Sequence, residues 1–259
     1  RKEATGGMTD VEVAEVNRLM EQLQELDKRR AYILQAIEGQ GKLTDELRKR
    51  IEECTDAITL EDIYLPFKQK RRTRAQVARE AGLEPLANIL QAQKTANVAQ
   101  AAQHYINKEK GIDTYQKAIQ GAQDIIAERV SENERARQSL RFTFGKHAII
   151  SSKLVKGKDI EGQNFRDYFD WSEPLSRCSS HRMLAMRRGE AEGVLRIGIG
   201  VDDAAAIERI SRFFVHSNGE ASRLVKEAVE DGYKRLLEPS SSNETGTIAR
   251  EKADEEAIA

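Results

Sequence analysis

Between Thr59 and Leu90 the chain reads TLEDIYLPFKQKRRTRAQVAREAGLEPLANIL, and no other stretch limits the fold so closely. Pro66 lacks an amide donor and crowds the residue before it, so the turn LEDIYL stops there and Phe67 to Arg72 leave as an extended or looped segment. Five of the seven residues from Lys68 to Arg74 are Lys or Arg. Thr73 and Gln76 then stand at N-cap and N3 spacing, which starts a helix over 74–81 directly behind the strongest positive charge in the sequence. Gly82 closes that helix, Leu83 supplies the apolar contact that accompanies such stops, and Pro85 suits the first turn of the next. The result is a helix-turn-helix-like pair. Its second helix is mostly apolar: PLANILQAQ offers Leu86, Ile89 and Leu90 for packing and only Asn88, Gln91 and Gln93 for reading bases, so it favours packing over base readout.

The remaining patterns are also helical, as four prolines, 5% aromatics and abundant Ala, Leu, Glu, Arg and Gln favour. Thr9 and Glu12 form a capping box for a long helix over 10–38. Val16, Leu19, Leu23, Leu26, Ile33 and Ile37 recur along it at steps of three and four, with Arg30 as the polar exception. That seam lasts about four heptads and suits packing within a bundle better than a dimerising coiled coil. Thr44 caps a shorter helix ending near Cys54, which reads as a buried structural thiol. Helices are expected over 98–110 and 114–130, and another opens at a Ser131/Glu134 capping box and runs through LRFTFGKHAIISSKL. Phe165, Tyr168, Phe169 and Trp171 could stack on nucleobases, but three of them share one helical face and suit packing. Ser180 can cap a helix stopping at Gly189, with Arg187 and Arg188 in its last turn, where they suit the helix dipole. His181 stands without a companion ligand. The segment 193–201, GVLRIGIGV, is the strand candidate; its GIG lacks both GxGxxG and a Walker lysine and runs into Asp202 and Asp203, so it is no nucleotide loop. Helices follow over 203–215 and 220–238, Pro239 ends the second, and 238–246 reads as a Ser-rich linker before an acidic helix. The fold class is therefore mainly α: a multi-helix bundle with a long amphipathic helix, the helix-turn-helix-like pair and at most one small β hairpin or ribbon near 193–201.

With 42 basic and 43 acidic residues the net charge is −1, so any nucleic-acid contact must come from a local patch. Lys153, Lys156 and Lys158 form a lysine run better read as solvated than as a phosphate site. Only Cys54 and Cys178 occur, which fits a reducing cytoplasm and neither a disulfide scaffold nor a zinc module. No apolar run approaches the ~20 residues of a membrane span. No nucleophile with a base, carboxylate metal cluster or phosphate loop emerges, so neither an enzyme nor a cofactor is expected. The opening RKEATGG, without an initiator Met, reads like the middle of a longer chain.

Several segments carry a family likeness. The string LEDIYLPFKQKRRTRAQVAREAGLEPLA at 60–87 resembles the hallmark of the bacterial Tex family of transcription accessory proteins, and RKEATGG resembles another Tex segment. GAQDIIAERVSENERAR at 121–137, FRDYFDWSEPLSRCSSHRMLAMRRGEAEGVL at 165–195 and YKRLLEPS at 233–240 look like the same family in its order. The family resembles the core of a eukaryotic transcription elongation factor and histone chaperone. It carries an RNase H-like domain, a helix-hairpin-helix element and a C-terminal OB-type RNA-binding domain, none of which is recognised here. The resemblance thus implies that 1–240 is the helical N-terminal Tex-like region, divisible into two subdomains near 92–113. Residues 241–259 would then be a linker and the start of a helix leading to the RNase H-like domain.

Two functional readings follow. In the first, a helical scaffold contacts RNA or DNA phosphates without reading sequence, through Lys68, Lys70, Arg71, Arg72 and Arg74, joined by Arg79 and, if the fold brings them near, Arg187 and Arg188. In the second, the chain is a protein-interaction platform that positions the family's other domains and touches RNA polymerase or other transcription machinery. The same arginines could also turn inward and pair with Glu61, Asp62 and neighbouring helices, which would matter only as a network or if buried.

Overall fold

A computed structural model describes residues 6–258, so the first five residues of RKEATGG lie outside the described residues. The chain divides into two compact units, 1–69 and 70–259. The division falls inside the basic run, and 92–113 lies within the second unit.

In the first unit α1 (Asp10–Gly39) starts at the Thr9/Glu12 capping box, with both reciprocal hydrogen bonds made. It packs on α2 (Asp45–Glu53) and α3 (Ala57–Tyr64) through Leu26, Ile33 and Ile37, which meet Ile51, Leu60 and Ile63. Val16, Leu19 and Leu23 continue the seam toward the N-terminus but are exposed. Arg30 interrupts the seam for a reason: its guanidinium reaches the Cys54 carbonyl through Nε at 2.8 Å, satisfying an orphan acceptor at the end of α2. After α3 the chain makes one 3-10 turn, Leu65–Phe67, with Pro66 in its first positions where the missing amide costs little.

In the second unit α4 (Arg74–Glu80) is capped by Thr73, whose side chain accepts from Gln76 N. Gly82 adopts φ 81°, a left-handed stop, and Leu83 N bonds back to Ala78 O before α5 (Glu84–Ala92) begins. The pair, with α6 (Val98–Gln103), packs on α7 (Tyr115–Glu132). This helix is buried on most sides from Gly121 to Ser131, with Ala118, Ala122, Ile125, Ile126, Ala127 and Val130 in the core, which makes it central rather than peripheral. The expected helix over 98–110 ends early, and Lys108–Lys110 is a separate 3-10 turn before Gly111.

Downstream, several sequence expectations are corrected. Ser131 is buried at the end of α7 and its Oγ donates to Glu128 O, so the cap of α8 (Glu134–His147) is Asn133, not Ser131. That helix does not run on to Leu154. Ile149–Leu154 is strand β1, in which Ile150 and Ser152 point inward and Ile149 and Lys153 outward. It is the central strand of a three-stranded antiparallel sheet, flanked by β2 (Asp170–Pro174) and β3 (Leu195–Gly200), so the ribbon near 193–201 is one edge of that sheet. The aromatic group splits between a 3-10 turn (Gln163–Tyr168) and β2, and it packs: Phe165 is buried with Val194 and Leu195, and Tyr168 stands edge-on to Trp171 at 6.2 Å. Ser179, not Ser180, caps α9 (Ser180–Ala191), which passes through Gly189, and the glycine serves close packing there, since a Cβ would meet Leu195 Cδ1 at 2.5 Å.

After α10 (Asp203–Ser211) and α11 (Glu220–Gly232), Pro239 does not end the helical run. Tyr233–Leu237 forms a π-helical turn, with Glu238 N bonding Tyr233 O, and this resets the ladder so that Pro239 falls in the first turn of α12 (Glu238–Ile258). The Ser- and Gly-rich stretch is helix, not linker. Its small residues permit close packing: Ser241 and Gly246 are buried, and a Cβ on Gly246 would crowd Arg187 Nη2 at 3.0 Å. Among the described residues no helix is long and apolar enough to cross a membrane.

Candidate nucleic-acid interface

The site begins with one carboxylate on the central helix. Glu128 is 7% exposed on α7, and a buried carboxylate must be paired. Thr73 Oγ1 donates to its Oε2 at 2.9 Å, and Arg79 Nη1 donates to its Oε1 at 2.9 Å. Lys70 Nζ stands 3.8 Å from the same Oε1 and also forms an ion pair with Glu132. Burial pushes the Glu128 carboxyl up, but the Arg79 and Thr73 hydrogen bonds and the Lys70 charge outweigh it and hold the group below its ordinary 4.5. Burial pulls the Lys70 ammonium below its ordinary 10.5, against the attraction of Glu128. Thr73 thus does two jobs: its oxygen accepts from Gln76 N as a helix cap while its hydroxyl proton goes to Glu128.

The basic run is sorted by this anchor. Lys70 and Arg79 turn inward, each with a side chain 29% exposed. Arg72 reaches along α4 to Glu80 at 2.9 Å in an exposed pair. Arg71 and Arg74 are exposed, and among the described residues neither forms an ion pair, although Arg74 lies near enough to Asp124 to favour that carboxylate's charge. Lys68 closes the first unit and is exposed at the rim of a 570 Å³ cleft that Arg29, Tyr32 and Tyr64 also line. Glu61 is held within that unit by a bidentate pair with Arg29, at 2.6 and 3.1 Å.

Arg187 and Arg188 are engaged locally. Arg187 Nη1 donates to Glu190 Oε2 at 2.7 Å, and the Arg188 guanidinium lies 5.5 Å from the centre of the Phe165 ring. No hydrogen bond or ion pair among the described residues joins either to 70–79. Of the polar residues on α5, Gln91 accepts from Arg129 and Gln93 is used wholly inside the fold. His181 is exposed. Among the described residues no three His, Cys, Asp or Glu side chains gather as a metal site.

The anchor at Glu128 was missed in the sequence, because apolar periodicity along 115–130 draws attention to Ile119, Ile126 and Val130 and not to the acid between them. The usable signal is the wide apolar arc of Ala118, Gly121, Ala122, Ile125, Ile126 and Ala127, which puts an acid at 128 on its margin and in need of partners.

These features define a mainly helical module with a small sheet, in which a buried carboxylate fixes the base of a cationic edge. A family model described as Tex central region-like matches residues 93–259, and the chain belongs to the Tex family of transcription accessory proteins. It is 39% identical over 266 residues to the transcriptional accessory protein Tex of Neisseria gonorrhoeae, covering 100% of this chain and 35% of that protein. It is 42% identical over 226 residues to protein tex of Bordetella pertussis, covering 85% of this chain and 29% of that protein. The human S1 RNA-binding domain-containing protein 1 is more distant, 26% identical over 275 residues, covering 100% of this chain and 27% of that protein. The chain spans about a third of the length of these curated relatives.

Proposed function

We propose that the chain is a helical scaffold and nucleic-acid-associated module of a transcription accessory factor, with sequence-nonspecific phosphate contact along the edge formed by Arg71, Arg72 and Arg74. One observation carries this reading: the anchor consumes Lys70 and Arg79 but leaves Arg71 and Arg74 exposed beside it and, among the described residues, without ion pairs. Phosphate groups suit such side chains, and contacts of this kind position a strand without reading bases. Arg72 can exchange its exposed Glu80 partner for phosphate at little cost, since such surface pairs are worth only ~0–1 kcal/mol. Lys68 extends the same run of sequence, whereas Arg187 and Arg188 stay in the proposal only as secondary contacts. RNA and DNA both present the required phosphates, and the name of the human relative, an S1 RNA-binding domain-containing protein, speaks for RNA.

The inward half of the run supports the interaction-platform reading for Lys70 and Arg79, which would hold the module rigid for the rest of a longer factor and for transcription machinery. Titrating labelled single-stranded RNA and duplex DNA at low and moderate salt tests the phosphate edge, with wild type beside the triple variant Arg71→Ala, Arg72→Ala, Arg74→Ala. Loss of roughly 0.7 to 0.9 in the salt slope per removed contact is expected. Identical binding by wild type and variant would remove the edge from consideration.

A further inference from the structure

A small polar cleft of 330 Å³ opens where α9, β3 and α12 meet. Helix α12 brings Asn243, Thr247 and Arg250 to it, at steps of four and three residues and so on one helical face. Ser242 fixes that helix on the sheet by donating from Oγ to Ile199 O at 2.6 Å. From the other side α9 sends Arg187 across, and buried Gly246 gives its guanidinium room, since a Cβ there would lie 3.0 Å from Nη2. Glu190 takes only Nη1 of that guanidinium, at 2.7 Å. Among the described residues Nη2 has no acceptor, and Nε is buried without one, although buried polar groups are paired as a rule. Arg250, Asn243 and Thr247 are exposed, and among the described residues their side chains form no hydrogen bond or ion pair.

The unspent groups are thus mostly donors, and they arrive from two helices. We propose that the cleft binds a phosphate group, free or at the end of a small phosphomonoester. A tetrahedral phosphate takes hydrogen bonds from several directions, whereas a planar carboxylate takes them in one plane, and guanidinium forks match phosphate oxygens in pairs. A monoester's charge of about −1.5 to −2 at pH 7 also answers two guanidiniums better than the single charge of a phosphodiester. The volume lies near the lower end of small-molecule sites, ~300–1,000 Å³, which fits a mononucleotide or sugar phosphate and not a length of strand. Glu238 is the opposing charge. It lines the cleft two turns before Gly246, roughly 12 Å along the helix, and burial and then the charge of Asp203 push its carboxyl up, which weakens the repulsion. None of residues 70–79 lines the cleft, so the site stands apart from the phosphate edge.

Calorimetric titration of the 259-residue chain at low salt tests this, with inorganic phosphate, adenosine 5′-monophosphate, adenosine and acetate as ligands. Phosphate and the monophosphate should bind; adenosine and acetate should not. Arg250→Ala should weaken both roughly tenfold, the loss of one charge-assisted contact, and Arg187→Lys, which keeps the charge but not the fork, should weaken them as well. Arg250 is exposed and unpaired among the described residues, so circular dichroism should show its variant folded. The triple variant Arg71→Ala, Arg72→Ala, Arg74→Ala should bind the monophosphate as wild type does. Tighter binding of the monophosphate than of phosphate assigns the site to the ester, and equal binding assigns it to the phosphate group alone. The proposal is overturned by a wild type that binds neither at millimolar concentration, or by adenosine or acetate binding as tightly as the monophosphate. Wild-type affinity in Arg250→Ala, or equal loss in the Arg71/Arg72/Arg74 variant, overturns it too.

Discussion

Arg79 Nη1 donates to Glu128 Oε1 at 2.9 Å and so ties the last turn of α4 to the central helix α7. The same carboxylate takes a hydrogen bond from the residue that caps the start of α4, so both ends of a seven-residue helix are fixed by one acid. A helix this short has little stability of its own and needs such anchoring.

Removing the acid should therefore cost more than removing any one of its partners. Glu128→Ala leaves Arg79 half-buried without its carboxylate and Lys70 with Glu132 alone, and a loss of ~3 kcal/mol is expected, the low end for breaking a buried pair because both cations keep some solvent. Arg79→Ala should cost less, since Thr73 and Lys70 remain on the carboxylate. Urea denaturation of both single variants and the double variant checks this. A coupling energy below about 0.5 kcal/mol would show that the pair contributes little.

The acid should also set part of the pH dependence. Its folded value lies below the ordinary 4.5, so the folded state binds its proton less readily than the unfolded chain does. Its contribution is full above 4.5 and is lost as pH falls through the lower folded value. The urea midpoint of wild type should thus drop as pH falls from about 6 to about 3, and that of Glu128→Gln should drop less steeply. Parallel curves would place the acid sensitivity elsewhere.

These anchors mark where sequence reasoning ends. Periodicity and punctuation are local, so Thr9/Glu12, Thr44, Gly82 and Pro85 announce their elements directly. Strand β1 was hidden, because IISSKL follows a helix without a Gly or Pro break and becomes a strand only through partners about twenty and about forty-five residues away. The helix through Pro239 was hidden because a π turn is a backbone adjustment that no residue type declares. The basic run was plain in the sequence, but its division into inward Lys70 and Arg79 and outward Arg71 and Arg74 depends on Glu128, an acid in a helix some fifty residues on.

Gln93 offers a sharper case of a long-range device. It ends α5 at φ 57°, a left-handed backbone costly for a side chain other than Gly or Asn. Its amide repays that strain by donating to Phe214 O at 2.6 Å and accepting from His216 N and Ser222 Oγ, both at 2.9 Å. Gln93→Ala keeps the strain and loses all three bonds, so a loss of about 2 kcal/mol is expected. Gln93→Gly relieves the backbone and should lose less. If the two variants melt alike, the left-handed conformation carries no cost here.

Gly232 and Gly121 separate backbone crowding from side-chain crowding. A Cβ on Gly232 would lie 2.6 Å from Ala127 O and 3.1 Å from Ala127 Cα, where α11 crosses α7 backbone to backbone. A Cβ on Gly121 would meet the Leu83 Cδ1 methyl at 2.2 Å, and a leucine end can turn away. Gly232→Ala should lose about 2–3 kcal/mol and Gly121→Ala less, by chemical denaturation. The reverse order would mean that the two helices can slide apart more readily than Leu83 can change rotamer.

Cys178 tests the electrostatics around the sheet. Its thiol is pushed up to about 12, first by burial and then by the hydrogen bond and negative charge of Glu173, with Arg182 pulling the other way. Glu173 is in turn gripped by Arg182 through two 3.0 Å hydrogen bonds, so the arginine's charge is largely spent on the carboxylate. At about pH 8 the folded chain should therefore react with thiol reagents far more slowly than the same chain in denaturant. Glu173→Gln removes the opposing charge and frees Arg182 to favour the thiolate. Each unit by which the thiol falls multiplies the thiolate fraction by about ten, so a rise in the Cys178 reaction rate of at least ~tenfold is expected. Cys54 is buried in the other unit and should be unaffected, which makes it the internal control when labelling is followed by peptide mass. An unchanged Cys178 rate in Glu173→Gln would show that burial alone silences the thiol.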